Sequence, residues 1–206
     1  MSFYSIAPFI REFYPEYYTI ERYPAGRCAC FCKVDAQWGI LGNFGRTPLE
    51  VEGVSFRSAE HLFQTLKFTD AEPMRAVYRS KNPKMTAKHW EKEHRRSDWG
   101  AIIVDVMKFC LVTKYRQSDD FRTELHRTHD AFIVEDQTTF RKKQADTWGA
   151  KLVDGTYVGP NLMGRLLMEL RSCDGQMAYS LPDDMLHSLG AYLHEADAPS
   201  PDGGTK

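Results

Sequence analysis

Residues 58 to 68 read SAEHLFQTLKF, and within them Glu60, Gln64 and Lys67 recur at intervals of four and three. At 3.6 residues per turn, that spacing puts a carboxylate, an amide and an amine on one face of a helix, with about 10 Å of rise between the ends. Groups held that far apart can act on one small molecule. The carboxylate stabilises a developing cation or activates water, and the amine, once it has lost its proton, attacks a carbon centre. Loss of that proton requires burial or a cationic neighbour. The same stripe also describes a solvated ladder, in which Glu60 complements the helix N-terminus and bonds along the surface to Gln64 and Lys67. His61 fits two roles as well, orienting such a site or satisfying a hydrogen bond in the core.

The helix that carries these residues is well defined. Ala59, Leu62, Phe63 and Leu66 follow the i, i+3, i+4, i+7 spacing of a core-facing stripe, and Ser58 stands at the N-cap position. Just before it, Leu49 and Val51 alternate with polar neighbours, Glu52-Gly53 supplies a tight turn, and Val54 and Phe56 resume the alternation, which predicts a hairpin. Further on, Asp98 is placed to cap a helix through Ile102, Ile103, Val106, Phe109, Cys110 and Thr113, and Ser118 to cap another through Phe121 and Leu125. Ala131 to Glu135, AFIVE, is too short for a helix and reads as a strand or buried connector ending on Glu135. A glycine-rich loop then leads into a helix striped by Leu162, Met163, Leu166, Leu167 and Leu170, with Gly159 and Asn161 at its start. Exposed N–H groups at such a start are a natural place for a phosphate. Trp99 and Arg171 read as structural.

Bulk properties bound the function. The 206 residues suit one domain, and 27 Lys plus Arg against 28 Asp plus Glu give a net charge of -1, which argues against a polyanion-coating role. No apolar run reaches the roughly 20 residues of a membrane span. Five cysteines, an odd number, follow no charged-then-apolar leader, so a soluble protein of the reducing cytoplasm is expected. Cys28, Cys30 and Cys32 alternate and so share one face of a strand; they lack the second pair or histidines of a zinc site. The aromatic first 34 residues are expected to be β and packed on the domain, with two strands around a Pro24-Ala25-Gly26 turn. Residues 172 to 206 read as a C-terminal extension, whose last stretch, from 195 on, has the Pro- and Gly-rich composition of a disordered tail.

The order of these pieces resembles the NADAR family, named for its association with NAD and ADP-ribose. In that family an SNF element precedes a hairpin with a central Gly, a helix of the form EH-x-x-Q-x-x-K follows, and the domain closes with WG and G-x-N-x-x-G-x-x-L-M-x-x-R. Here the corresponding stretches are LGNFGRTP, VEGVSF, SAEHLFQTLKF, DTWGAKL and VGPNLMGRLLMELR, in that order, with AKHW, DWGAIIVDVMKFCLVTKY and FIVE as weaker matches between them. The likeness covers roughly residues 35 to 171, about two-thirds of the chain. It departs where SNFYP is replaced by Gly42-Asn43-Phe44-Gly45-Arg46, where Asp146 stands two rather than three residues before Trp148, and where AKHWEKEHRR lacks the family's Gly-Arg. In that last stretch Lys88 matches the family, and Arg95 and Arg96 are the candidates to replace the missing cation.

The resemblance implies a mainly helical single domain with a small β element (α+β) and N-glycosidase activity on ribosides. The substrates it implies are ADP-ribose attached to guanine in nucleic acid, or phosphoribosyl aminopyrimidine intermediates of riboflavin synthesis. The first is preferred, since nothing beside the domain suggests fusion to a riboflavin-pathway enzyme; a non-catalytic NAD or ADP-ribose sensor is the alternative of another class. Glu60, Lys67 and Asp146 are then the expected catalytic groups, with Lys67 serving as nucleophile or as phosphate contact. Asn43, Phe44, His61, Gln64, Trp148 and Asn161 are expected to touch substrate, the aromatic rings by stacking. Neither chemical route needs a cofactor or a metal.

Overall fold

The computed structural model describes residues 5 to 141 and 144 to 193. In chain order its elements are α1 (Ala7–Phe13), β1 (Glu21–Pro24), β2 (Cys28–Phe31), β3 (Leu49–Val51), β4 (Val54–Phe56), α2 (Ala59–Thr65), α3 (Ala71–Arg79), α4 (Pro83–His94), α5 (Trp99–Gln117), α6 (Asp119–Arg127), β5 (Phe132–Glu135), β6 (Lys151–Val153), β7 (Thr156–Gly159), α7 (Leu162–Ser172) and α8 (Asp183–Tyr192). The fold is mainly α with small sheets, as expected. Among the described residues, no helix is long and apolar enough to cross a membrane.

The central element is α5. Its apolar residues are buried on nearly every side, Ile103, Val104, Val106, Met107, Cys110 and Leu111 among them, because α1, α2, α6 and α7 all pack against it. Asp98 occupies the N-cap position but its side chain does not cap the helix; both its carboxylate oxygens are held by Arg96, at 2.6 and 2.9 Å. Ser118 does cap α6, accepting the N–H of Phe121 at 3.2 Å. The hairpin of β3 and β4 pairs Leu49 with Phe56 and Val51 with Val54. Its turn puts Glu52 at φ 52° and Gly53 at φ 73°, the left-handed pair that matches strand twist.

The N-terminal segment differs from the β reading. Pro8 in the first turn starts the helix α1, anchored by fully buried Ile10. Its contact with α5 is close: a Cβ at Gly100 would lie 2.5 Å from the Phe9 ring. The two predicted strands form, but they do not pair with each other. The turn Ala25–Arg27 diverts the chain, so that β1 runs antiparallel to β7 and β2 runs parallel to β5. In β2 the residues facing the main core are Ala29 and Phe31; Cys28 and Cys30 face the smaller cluster of Tyr23, Val134, Ala150 and Tyr157.

Beyond α7 the chain forms α8, whose Met185 and Leu189 are buried and whose Tyr192 carbonyl accepts Arg75 Nε at 2.9 Å. The tail expected from residue 195 lies outside the described residues.

Candidate active site

The polar stripe of α2 is not solvated. Ser58 Oγ accepts the His61 N–H at 3.2 Å and starts the helix, which is then covered on both its apolar and its polar sides. Glu60 is 7 % and Gln64 4 % exposed, so the surface-ladder reading fails on burial. Gln64 Nε2 donates to Glu60 Oε1 at 2.8 Å. One turn further, Lys67 Nζ lies 3.7 Å from Glu91 Oε1, and Phe63 and Trp99 offer ring faces 5.9 and 5.7 Å away. Burial lowers the Lys67 pKa; Glu91 and Glu60 oppose this, while Arg95 and Lys84 add to it.

These side chains open into a cavity of about 320 Å³. Besides α2, Ile103 and Met107 of α5 and Met163 of α7 line it, and its further polar and aromatic walls come from four places. The loop after β2 brings Asn43 and Phe44, α4 brings Lys84, Lys88 and Glu91, the end of β5 brings Glu135, and the loop before β6 brings Asp146 and Trp148. Asp146 Oδ1 accepts Gln137 Nε2 at 2.5 Å and the Trp148 N–H at 3.0 Å, while its own N–H donates to Gln137 Oε1 at 2.8 Å. That reciprocal pair turns the carboxyl into the cavity despite its one-residue shift from the family spacing. Trp148 stands perpendicular to Phe63, with ring centroids 5.9 Å apart.

Two buried side-chain acceptors among the described residues lack a protein partner, Asn43 Oδ1 and Gln64 Oε1, and both residues line this cavity. The Asn43 amide nitrogen finds only the Met107 thioether, at 3.0 Å. A buried acceptor left unmet costs about 1–3 kcal/mol, so these amides are placed for a ligand that donates to them. At the mouth Phe44 is half exposed, with Lys84 Nζ 5.3 Å from its ring centre, and Met85 and Phe140 are exposed beside it.

His61 and Asn161 lie outside the lining. His61 Nδ1 accepts the Arg57 N–H at 3.2 Å, so the proton sits on Nε2 and faces the Tyr78 carbonyl at 2.9 Å. Burial and the Arg57 charge lower its pKa to about 4. Asn161 adopts φ 50°; its Oδ1 accepts the Glu135 N–H at 3.1 Å and its Nδ2 donates to the Ile133 carbonyl at 2.9 Å. The first N–H groups of α7 are also engaged, Leu162 with the Thr147 carbonyl and Met163 with that of Trp148, both at 3.0 Å. That helix start therefore holds a loop in the place where a phosphate was expected.

Sequence reasoning passed over Lys84 and Glu91, although a signal existed. Lys84, Lys88 and Glu91 repeat the intervals of four and three found in Glu60, Gln64 and Lys67, and the two rows face each other because α2 packs on α4. Glu135 was visible only as the end of an apolar run.

Clustered carboxylates, an amine with a lowered pKa and aromatic walls around one cavity are the parts of a glycosidase, which must stabilise a sugar cation and hold a flat leaving group. The chain belongs to the NADAR domain family, whose model matches residues 30–173. It is 30 % identical over 144 residues to N-glycosidase YbiA of Escherichia coli (strain K12), covering 68 % of this chain and 84 % of that one. A riboflavin biosynthesis protein of Vibrio vulnificus (strain YJ016) is 30 % identical over 143 residues, covering 68 % of this chain and 37 % of that protein. The NMR structure of E. coli YbiA superposes with a TM-score of 0.58 at 25 % identity, covering 75 % of this chain and 91 % of that one.

Proposed function

We propose that this N-glycosidase removes ADP-ribose from guanine in nucleic acid, with Glu60, Lys67 and Asp146 as its catalytic groups. The observation that carries the reading is that buried Glu60 and Gln64 and the largely covered Lys67 share one cavity that also holds Asp146. As the base departs, positive charge builds on the ribose, and the Glu60 carboxylate stabilises it. Lys67, its pKa lowered by burial, attacks the anomeric carbon as the neutral amine; the sugar ring opens to a Schiff base, which water then hydrolyses. Asn43 and Gln64 accept the ribose hydroxyls, Asp146 orients the sugar, and Trp148 and Phe44 stack on rings. The ammonium groups of Lys84 and Lys88 at the mouth suit a diphosphate that extends beyond the cavity.

A second reading, a phosphoribosyl aminopyrimidine as substrate, is favoured by the name of the Vibrio vulnificus relative. The two are separated by offering the protein an oligonucleotide ADP-ribosylated on guanine and the phosphoribosyl aminopyrimidine, and comparing kcat/KM from released base. A higher value for the oligonucleotide supports the first reading, and release from the aminopyrimidine alone supports the second. Tight ADP-ribose binding with no release from either would show a sensor.

A further inference from the structure

We propose that Glu135 is the proton donor to the departing ring, a further catalytic residue of the N-glycosidase reaction described above, on which this inference rests. Five carboxyl groups, Glu60, Glu91, Glu135, Asp136 and Asp146, line the one cavity; Glu91 is paired with Lys67 and Arg95, and Asp136 accepts the Thr138 N–H and the Tyr157 hydroxyl, which leaves Glu60, Glu135 and Asp146. Cleaving an N-glycosidic bond needs such groups in unlike states, one negative beside the ribose cation and one protonated beside the leaving nitrogen. Their surroundings differ. Glu60 accepts the Gln64 amide, and Asp146 accepts both the Gln137 amide and the Trp148 N–H.

Glu135 is set differently. It is the last residue of β5, and its main chain is clamped from two sides. The Asn161 amide takes its N–H at 3.1 Å, and its carbonyl accepts the Ala150 N–H at 2.9 Å. Gly149 makes room for this clamp, since a Cβ there would lie 2.5 Å from the Glu135 carbonyl oxygen. The side chain is therefore aimed by rigid elements, with uncharged Phe31 opposite it in register on β2 and uncharged Met163 of α7 lining the same cavity.

The charges that face it are mixed. Asp146 and Glu60 oppose its ionisation, while Lys84 and a hydrogen bond from Gln137 favour it. Lys67 just beyond α2, Lys88 and Glu91 of α4 and neighbouring Asp136 complete the charged lining. Burial outweighs the favourable contacts and pushes the Glu135 pKa up to about 7, so about half of the carboxyl groups still hold a proton at neutrality.

As the C1′–N bond breaks, its electron pair passes to the leaving nitrogen, which takes the Glu135 proton. C1′ receives its new bond from the nucleophile. The water that completes hydrolysis leaves its hydroxyl oxygen on C1′ and returns a proton to Glu135, so the net change is one water consumed.

The test uses Glu135→Gln, which keeps shape and hydrogen bonding, with folding checked by circular dichroism. Two substrates are compared: the nucleobase riboside that the wild type cleaves, and the 4-nitrophenyl riboside 5-phosphate of the same anomeric configuration, whose phenolate leaves without a proton. Proton donation is worth about 10²–10⁴-fold, so release of the nucleobase should slow by at least that lower bound. Nitrophenolate release should stay within about threefold, and the fall of kcat/KM above pH 7 should disappear. Equal losses on both substrates, a nucleobase rate within about threefold of wild type, or persistence of the alkaline limb would each overturn the role. A wild type inactive on every riboside would instead remove the glycosidase reading, and this role with it.

Discussion

The N–H of Glu60 donates to the carbonyl of Asn43 at 2.9 Å, so the polar row of α2 and the loop facing it form one unit. The same loop is held from beneath by Lys114 of α5, which is fully buried and donates to the carbonyls of Ile40 and Gly42 at 2.6 and 2.9 Å. Burial lowers the pKa of Lys114 to about 7, and the Phe121 ring lies 4.3 Å from its nitrogen. Lys114→Met leaves two carbonyls without their donor. It should cost on the order of 1–3 kcal/mol in urea unfolding, and it should raise KM by loosening Asn43.

His61 makes stability depend on pH. Its pKa is about 4 in the folded protein against an ordinary 6.5, so the unfolded chain takes up a proton first as the pH falls. The stabilising contribution is complete above pH 6.5 and is lost progressively down to pH 4, by about 3 kcal/mol in all. Unfolding free energies measured across that window should fall more steeply for the wild type than for His61→Gln. Equal slopes would show that His61 does not titrate as described.

Asn161→Ala removes bonds to Ile133 and Glu135 and puts alanine, which tolerates the left-handed region less well than asparagine, at φ 50°. Two lost hydrogen bonds and left-handed strain predict a loss of about 2–4 kcal/mol, with reduced kcat because the Glu135 main chain is released. Asn161→Gly relieves the strain alone and should be less destabilised. Calorimetry of the two variants separates the terms.

Lys67→Met replaces a buried amine with an apolar group of similar length and leaves Glu91 paired with Arg95 at 3.2 Å. Stability should hold or rise, while activity falls on the order of 10³-fold or more. Borohydride added during turnover should fix the sugar to the wild type and not to this variant, as read by intact mass.

Much of this arrangement was legible in the sequence because periodicity reports burial. The α2 stripe, the β3–β4 hairpin and the leucine face of α7 all formed where their spacing placed them. What sequence could not supply was the identity of neighbours. β1 and β2 sit close together in sequence, yet each pairs with a strand more than 100 residues away, so the expected turn joins two sheets. Asn161 looks like a ligand contact at a helix start until its amide is seen closing on β5. Glu135 gains its character only when Asp146 and Glu60 converge on it, which no local pattern records.

The most direct test of the Glu60–Lys67 site is base release by the wild type and by Glu60→Gln, followed by mass spectrometry on the riboside the wild type prefers. Glu60→Gln preserves size and its bond to Gln64, so folding should be retained while release drops by at least about 10²-fold. Undiminished release from a folded Glu60→Gln protein would contradict the account, because the cleavage would then occur without the carboxylate at its centre.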